Sequence, residues 1–229
     1  MALIALTGFS GMASSRTITG KIIINQTYSS GSSNLIQGSG NVITDKRKLS
    51  SFSKLSISTV VDVEYFTSEN YRLELTADDN IVPIISSSIE GDTLSIDARQ
   101  SYSTQNKLRA KIYGPSTLGG VETDGSSDVN MQGIASNLLE IDLDGSSDFT
   151  VQGKVQNLHI KTSGRSDINA KKLLATNVTI NADGHTDAIV TANKNLNVVL
   201  DGISDITYYG HPDSITKTID GIGNVIAGD

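Results

Sequence analysis

Apolar residues alternate with polar ones along most of the chain, in short runs that meet at glycines. Leu139, Ile141 and Leu143 precede one such glycine, and Phe149 and Val151 follow it. Alternation with a period of two predicts β-strands with one buried face. A glycine between two such strands supplies a backbone conformation that a side chain would penalise. The pattern therefore predicts an all-β fold of short strands joined at tight corners.

The unit of strand, glycine and strand recurs at an almost constant interval. The six phrases DGSSDV, DGSSDF, SGRSDI, DGHTDA, DGISDI and DGIGNV follow one another at steps of 20, 19, 20, 18 and 19 residues, with turn glycines at Gly125, Gly145, Gly164, Gly184, Gly202 and Gly221. Two strands and two corners in about 19 residues are typical of one coil of a parallel β-solenoid, or β-helix. A meander of antiparallel hairpins is the alternative. We favour the solenoid because the two strand types recur in strict order.

The repeat divides the chain into segments of different regularity. Residues 121–229 carry the regular repeats, and 38–120 are predicted to form less regular β coils, continuous with them as one domain. Residues 14–37 form a Ser-rich lead-in. In the less regular half the apolar pattern predicts three strands, with a helical or irregular turn before the second: Tyr71–Thr76, Ile81–Ser86 and Thr93–Asp97.

The first 13 residues resemble a signal peptide. MALIALTGF is apolar and too short to span a bilayer, and Gly11 and Ala13 form a small pair before a cleavage site. The usual basic segment before the apolar run is missing, and an ordinary apolar first strand is the alternative. We favour export, which places the protein in the periplasm, on the outer surface or in the medium.

Charge and composition exclude several functional classes. The net charge is −7, and residues 121–229 hold seven Lys/Arg against fifteen Asp/Glu, a net −8. An acidic half of this kind repels phosphate backbones, so nucleic-acid binding is excluded. The absence of cysteine excludes disulfides and thiol nucleophiles.

Stacked coils would bring the repeated aspartates into columns about 4.8 Å apart. One column would hold Asp128, Asp148, Asp167, Asp187, Asp205 and Asn224, and a second Asp124, Asp144, Ser163, Asp183, Asp201 and Asp220. Carboxylates this close need compensation. We expect most of them to accept hydrogen bonds from N–H groups of the turns. Two alternatives stay open: calcium held by Asp128, Asp148, Asp167, Asp187 and Asp205, and basic neighbours such as Arg165.

An enzyme of the parallel β-helix type must be weighed against a binding protein. Aspartate columns supply carboxylate pairs of the kind that glycoside hydrolysis requires. However, the chain has no tryptophan to stack on a sugar, and its seven tyrosines are scattered. His159, His185 and His211 lack metal-ligand spacing and are expected at the surface. The sequence SFSK at Ser51–Lys54 matches S-x-x-K, but it falls on a predicted strand and has no K-T-G partner.

Several phrases, taken in order, resemble one protein family. GSGNV, FSKLSISTVVDVEYF, IEGDTLSI, the serial GxSD turns and YYGHPDSITKTIDGIGNV are similar to the auto-transporter adhesin head domain, or GIN domain, over residues 36–229. The resemblance implies a bacterial, exported, right-handed β-solenoid-like protein with an adhesive role. It implies no catalytic residues. GRSD and GHTD depart from the pattern, since bulky residues follow their glycines.

These observations favour an exported, non-catalytic β-solenoid without a cofactor, acting in adhesion or cell-envelope organisation. The expected partner is a surface polysaccharide or protein, and the open ends of a solenoid predict a homo-oligomer. A polysaccharide lyase or hydrolase is the alternative. A structural envelope protein without a specific ligand is a third hypothesis.

Overall fold

The structure is a computed structural model, and it describes residues 35–229. The predicted signal peptide and residues 14–34 of the predicted lead-in lie outside the described residues. Within the described part no helix is long and apolar enough to cross a membrane.

The fold is all-β, with a single short 3₁₀ turn in the described residues. In chain order the first nine strands are β1 (Ile36–Gln37), β2 (Val42–Lys48), β3 (Lys54–Ser58), β4 (Asp62–Thr67), β5 (Arg72–Asp78), β6 (Ile85–Glu90), β7 (Thr93–Ala98), β8 (Tyr102–Ser103) and β9 (Arg109–Gly114). Three more follow: β10 (Gly120–Tyr209), β11 (Ser214–Ile219) and β12 (Ile222–Ala227).

Strand β10 is a continuous extended segment of 90 residues. A straight strand of that length would measure about 300 Å. Instead it folds back on itself, so that Gly145 lies against Gly125 and Gly164 against Gly145. The last repeat continues this order, because Leu196 pairs with Ile215 of β11 and Ile206 with Val225 of β12, both 19 residues onward.

The sheet is mixed. Strands β3 and β4 pair in parallel with β10, and β11 and β12 pair in parallel with its last part. Strands β7 and β9 continue the parallel order on β3 and β4. Antiparallel pairs then follow, β6 on β7 and β5 on β9, with β2 on β5. The regular repeats are therefore not an antiparallel meander, whereas the first half adds antiparallel strands that the sequence did not predict.

One hydrophobic core runs from the irregular half into the repeats. The apolar residues that flank each repeat glycine point inward, as shown by Ile141, Phe149, Ile160 and Val198, each at most 1% exposed. The inward residues of β3 and β4, such as Ile57 and Val63, belong to the same core cluster. Each repeat thus buries its apolar face against its neighbours in the stack.

The strand predicted at Ile81–Ser86 is displaced. Residues 79–81 form a turn, Val82–Ile84 form a 3₁₀ turn, and β6 begins only at Ile85. Pro83 explains the shift, because it has no N–H to give to a sheet ladder but is tolerated in the first turn of a helix. The strands predicted at Tyr71–Thr76 and Thr93–Asp97 agree with β5 and β7 within two residues.

A buried carboxylate fastens a loop of the irregular half. Asp78, at the end of β5, is 1% exposed. Its side chain accepts hydrogen bonds from Thr104 Oγ1 (2.5 Å) and Asn106 Nδ2 (2.6 Å). Because a buried charge is costly without such partners, these bonds hold the segment between β8 and β9 against β5.

Candidate functional site

The turn glycines form a column along one corner of the stack. Gly125, Gly145, Gly164, Gly184 and Gly202 have φ between 108° and 134°, a region that L side chains rarely adopt. A Cβ on Gly145 would also collide with the carbonyl of Gly125. Gly221 lacks the positive φ, but a Cβ there would collide with the carbonyl of Gly202. Glycine recurs at this corner because the corner is bent and because successive backbones touch.

A buried column of hydroxyl groups lies just inside that corner, at the residue before each repeated aspartate: Ser127, Ser147, Ser166, Thr186 and Ser204. Ser127 Oγ donates to the carbonyl of Thr59 (3.1 Å), and Thr186 Oγ1 shares a hydrogen bond with Thr162 Oγ1 (2.7 Å). The Ser166 hydroxyl is buried and has no hydrogen-bond partner within the described residues. This column explains the Ser or Thr before the aspartate in the GxSD phrase, a residue whose role the sequence alone does not predict.

The first aspartate column lies outside the corner, exposed to solvent: Asp128, Asp148, Asp167, Asp187 and Asp205. Register extends it to Asp62, because Val63 pairs with Val129. Lys107 Nζ neutralises this end, 3.3 Å from Asp62 and 3.7 Å from Asp128. At the other end Asp205 Oδ1 accepts from Asn224 N (3.0 Å) and Nδ2 (2.9 Å).

The expectation that these aspartates bond the turn N–H groups is wrong for most of the column. Across residues 35–229 Asp205 alone of the five accepts a backbone N–H bond, and its donor belongs to the next coil. Asp148 has a raised pKa because of partial burial and because Asp128 and Asp167 repel its charge. The middle of the column is therefore uncompensated, and the hydroxyl column inside carries the polar contacts of the corner.

The geometry of the described residues does not provide a set of side-chain ligands for calcium. In the described part of the chain no three His, Cys, Asp or Glu side chains converge on a point where a metal ion would be held. Calcium prefers six to eight oxygen ligands. Binding along the column stays a prediction that a measurement has to decide.

The outward face of the sheet on one side of this corner holds a groove of about 460 Å³. Gly120 is one of its lining residues and lies between Lys54 and Glu140 of neighbouring strands, so that a Cβ at this position would be 3.4 Å from Lys54 Cγ and 3.9 Å from the Glu140 carbonyl oxygen. His159 and Thr179 continue the same row across the next two coils. The groove thus crosses the strands, and its walls come from residues 20 or so apart in the sequence.

Charges of both signs line this groove. Lys161 Nζ lies 3.0 Å from Asp142 Oδ2, and the pKa of Lys161 is raised by Asp142 first, then by Asp144 and Glu122. His159 is exposed, as the sequence predicted, and it lines the groove. His211 is exposed as well, and His185 is half-buried in its corner. Such a lining can hold a ligand that carries hydroxyl groups together with charges.

Two further clusters of side chains were not predicted from the sequence. The Phe66 and Tyr113 rings stack with centroids 5.3 Å apart, and the Arg72 guanidinium lies 3.3 Å from the centre of the Tyr113 ring. The aromatic residues are thus less scattered than predicted, because parallel pairing places Phe66 of β4 beside Tyr113 of β9. Only the register reveals this pair, since 47 residues of sequence separate its members.

The second missed cluster is a ladder of asparagines along another edge of the stack: Asn137, Asn157, Asn177 and Asn195. Asn157 Nδ2 donates to the carbonyl of Asn137 (3.3 Å), Asn177 Nδ2 to Asn157 Oδ1 (2.8 Å) and Asn195 Nδ2 to Asn177 Oδ1 (2.7 Å). Their spacing of 20, 20 and 18 residues is visible in the sequence and follows the glycine period.

Comparison with known proteins now assigns the family. Residues 51–212 match the family model described as "Putative auto-transporter adhesin, head GIN domain". The chain belongs to this family. The matched range contains five of the six turn glycines and the whole groove, so the GIN domain includes both features described above.

One solved structure shares the fold, and two others are similar to the chain at lower TM-scores. A putative adhesin from Bacteroides fragilis has a TM-score of 0.71 at 23% identity, over 84% of this chain and all of its own. A putative lipid binding protein from Parabacteroides distasonis scores 0.48 at 22% identity, over 85% of this chain and 99% of its own. A putative adhesin from Parabacteroides merdae scores 0.44 at 18% identity, with the same coverage. A search of curated proteins found no match.

Proposed function

We propose that this GIN-domain chain is an exported, non-catalytic binding protein that acts in adhesion or envelope organisation. It contacts a surface polysaccharide or protein through the sheet face that contains the Gly120 groove. The single observation that carries the proposal is this groove, which is lined by both charges and by hydroxyl and amide groups from successive coils.

We further propose that residues 38–229 form one right-handed β-solenoid with about 19 residues per coil, capped by the antiparallel strands of its first half. The stacked turn glycines and the parallel register at steps of 19 residues support this architecture. A solenoid suits binding to an extended polymer, because equivalent side chains repeat along the stack at a fixed spacing.

Catalysis fits the site less well than binding. The aspartates of the first column are repeated and exposed, whereas a catalytic centre needs a residue whose environment differs from that of its neighbours. In the groove, Asp142 forms an ion pair with Lys161 at 3.0 Å, and Asp142 raises the pKa of Lys161. The adhesin description of the family and of two of the similar structures agrees with a binding role.

The test is binding of the full chain to arrays of neutral, acidic and amino-bearing oligosaccharides, compared with a variant whose groove is filled. Gly120→Gln suits this purpose because a Cβ there meets only ordinary or slightly tight contacts, the nearest being Lys54 Cγ at 3.4 Å. The control is Asn197→Gln, which lengthens an exposed side chain of the same face beyond the groove.

We expect the wild type and Asn197→Gln to bind the same oligosaccharides and Gly120→Gln to lose that binding. Equal binding by all three proteins would exclude the groove as the site. Release of new reducing or unsaturated ends from a bound polysaccharide would contradict the non-catalytic proposal and favour a lyase or hydrolase.

A further inference from the structure

Strand β2 (Val42–Lys48) forms an open edge at one end of the sheet. It comes first in the strand order, and among the described residues it pairs only with β5. All seven of its residues are at least partly exposed. An edge of this length presents unpaired backbone groups that can accept a further strand.

Hydrogen bonds at both ends of β2 show which backbone groups face this open edge. Leu49 N donates to the carbonyl of Tyr71 (3.1 Å), and Asp79 N donates to the carbonyl of Asn41 (2.8 Å). In an antiparallel pair the bonded residues alternate with residues that turn their N–H and C=O groups away. The odd-numbered residues of β2 therefore bond β5. The even-numbered residues turn their backbone groups to the open edge: Val42, Thr44, Lys46 and Lys48.

The side chains of these even-numbered residues lie on the solvent side of the sheet, since most of their neighbours on β2 pair with buried residues of β5. Lys46 Nζ lies 3.8 Å from Glu74 Oε1, and Arg72 Nε lies 3.3 Å from the same oxygen. Lys48 is exposed, stands opposite Arg72 in register and forms no ion pair within the described residues. One carboxylate thus serves three cations, so the outer side of the edge is positively charged.

A cavity of about 510 Å³ adjoins the cationic end of this edge. Its charged lining consists of four basic side chains and one carboxylate: Lys46, Arg47, Lys48, Arg72 and Glu69. Arg47 is neutralised by Asp45, 2.7 Å from its Nε. The Arg72 guanidinium lies 3.3 Å from the centre of the Tyr113 ring, and its terminal nitrogens donate to no described residue. The cavity can therefore take a carboxylate between Lys48 and Arg72.

We propose that β2 is a docking edge for an extended acidic segment of another protein, which adds to the sheet as a further strand. Main-chain hydrogen bonds to the even-numbered residues hold the segment, and alternate carboxylates face Lys46 and Lys48. One of these carboxylates enters the cavity beside Arg72. Lysines on an edge strand oppose pairing with an apolar or basic strand, so the side chains that guard the edge also select an acidic partner.

The edge favours a polypeptide over a polysaccharide, because only a polypeptide carries N–H and C=O groups at the spacing of a strand ladder. The edge is also separate from the Gly120 groove. No residue of β2 or of the cavity lines that groove. Either proposal can therefore fail without the other.

The experiment measures binding of the full chain to a soluble peptide in which glutamate and threonine alternate, by fluorescence anisotropy. The wild type should bind this peptide and should not bind a matching peptide of lysine and threonine. Lys48→Glu should weaken the binding about tenfold, because a repulsive cross-strand pair replaces an attractive one. Lys194→Glu changes the net charge equally at an exposed position outside the edge, and it should bind as the wild type does.

Two further measurements separate strand addition from simple charge attraction. Thr44→Pro removes an N–H that faces the open edge and keeps the pairing with β5, although the side-chain bond to Thr76 Oγ1 (2.8 Å) is lost. This variant should fold, as judged by its thermal unfolding, and should not bind the acidic peptide. An acidic peptide methylated at every second backbone nitrogen should fail to bind the wild type, and this measurement requires no variant.

Three results would overturn the proposal. The first is a wild type that does not bind the acidic peptide, or that binds it no better than Lys48→Glu and Thr44→Pro do. The second is binding that Lys48→Glu removes but that Thr44→Pro and backbone methylation leave intact, since the cavity would then attract anions without strand addition. The third is self-association of the wild type that Thr44→Pro removes, which would assign the edge to a second copy of the chain.

Discussion

The charge of Asp148 should destabilise the folded protein, so its removal should stabilise it. Asp148 is exposed, accepts no hydrogen bond within the described residues, and stands between Asp128 and Asp167. Replacement by alanine removes the carboxylate and leaves the neighbouring side chains in place. A residue that formed the turn through hydrogen bonds would instead cost about 1 kcal/mol when removed.

The magnitude follows from the spacing of the coils. Two unit charges about 5 Å apart repel by roughly 1 kcal/mol in water and by about 3 kcal/mol at an effective dielectric of 20. The value for water applies because Asp148 is exposed, and a Debye length of about 8 Å at physiological salt reduces it by roughly half. Two neighbours then give about 1 kcal/mol, which corresponds to a rise of about 2–4 °C in Tm for a chain of this size.

The pH dependence has a definite sign. The pKa of Asp148 is raised in the folded state, so folding takes up a proton between the folded and unfolded pKa values. The wild type should therefore gain stability from this group as pH falls through its folded pKa, and the advantage of Asp148→Ala should vanish there. Added salt should shrink the same advantage at neutral pH.

The assay is urea denaturation of the full chain at pH 7, with Asp205→Ala as the matched control. Asp205 belongs to the same column but accepts two hydrogen bonds from Asn224. Its removal should lower the free energy of unfolding by about 1–2 kcal/mol. Opposite signs for the two substitutions support the reasoning. A loss of about 1 kcal/mol or more for Asp148→Ala would refute it and restore the turn-forming role.

Four other outcomes are expected. Gly145 has a positive φ of 108° and lies against the Gly125 carbonyl, so Gly145→Ala should lower the free energy of unfolding, measured in urea, by more than about 2 kcal/mol. Gly40→Ala, with open space around it, should lower it by about 1 kcal/mol. Equal losses would contradict the stacked column. Ser166→Ala should be neutral or stabilising because its buried hydroxyl has no partner within the described residues, whereas Thr186→Val, which loses the bond to Thr162, should destabilise by about 1–2 kcal/mol. Burial raises the pKa of Tyr65, so the protein should lose stability above pH ~10, where the unfolded tyrosine ionises, and Tyr65→Phe should lose less over that range. Tm should be the same in excess calcium as in chelator. Binding at a hundred times Kd would add about 2.7 kcal/mol to the stability and would therefore raise Tm visibly. A rise that Asp148→Asn or Asp167→Asn abolishes would establish the calcium hypothesis.

Most of the features that could be predicted from the sequence, such as the buried faces and the stacking, follow from the repeat. The alternation of apolar residues predicted the buried faces correctly, because every second side chain of a strand points toward the core. Leu139, Ile141 and Leu143 are all buried. The equal steps between glycines implied stacking, which requires the same close approach at each coil. The regular segments are predictable because the same strands and the same glycine corner recur in each repeat.

What the sequence did not predict depends on register between distant strands. The pairing of β2 with β5 and of β5 with β9 reverses direction without any periodic signal. The groove joins residues that are distant in sequence, since Gly120 pairs with Lys54, which is 66 residues away. The sequence predicts turn-forming aspartates because Asp is common in turns, although buried Ser and Thr residues at this corner make the hydrogen bonds instead.

The most direct test of the binding face is a hydrogen-exchange footprint of the full chain with a bound oligosaccharide from the array. The account predicts simultaneous protection of three separate segments around residues 120–122, 140–142 and 159–161, which line the groove in successive coils. Protection confined to the aspartate corner, or to a single segment of the chain, would contradict it.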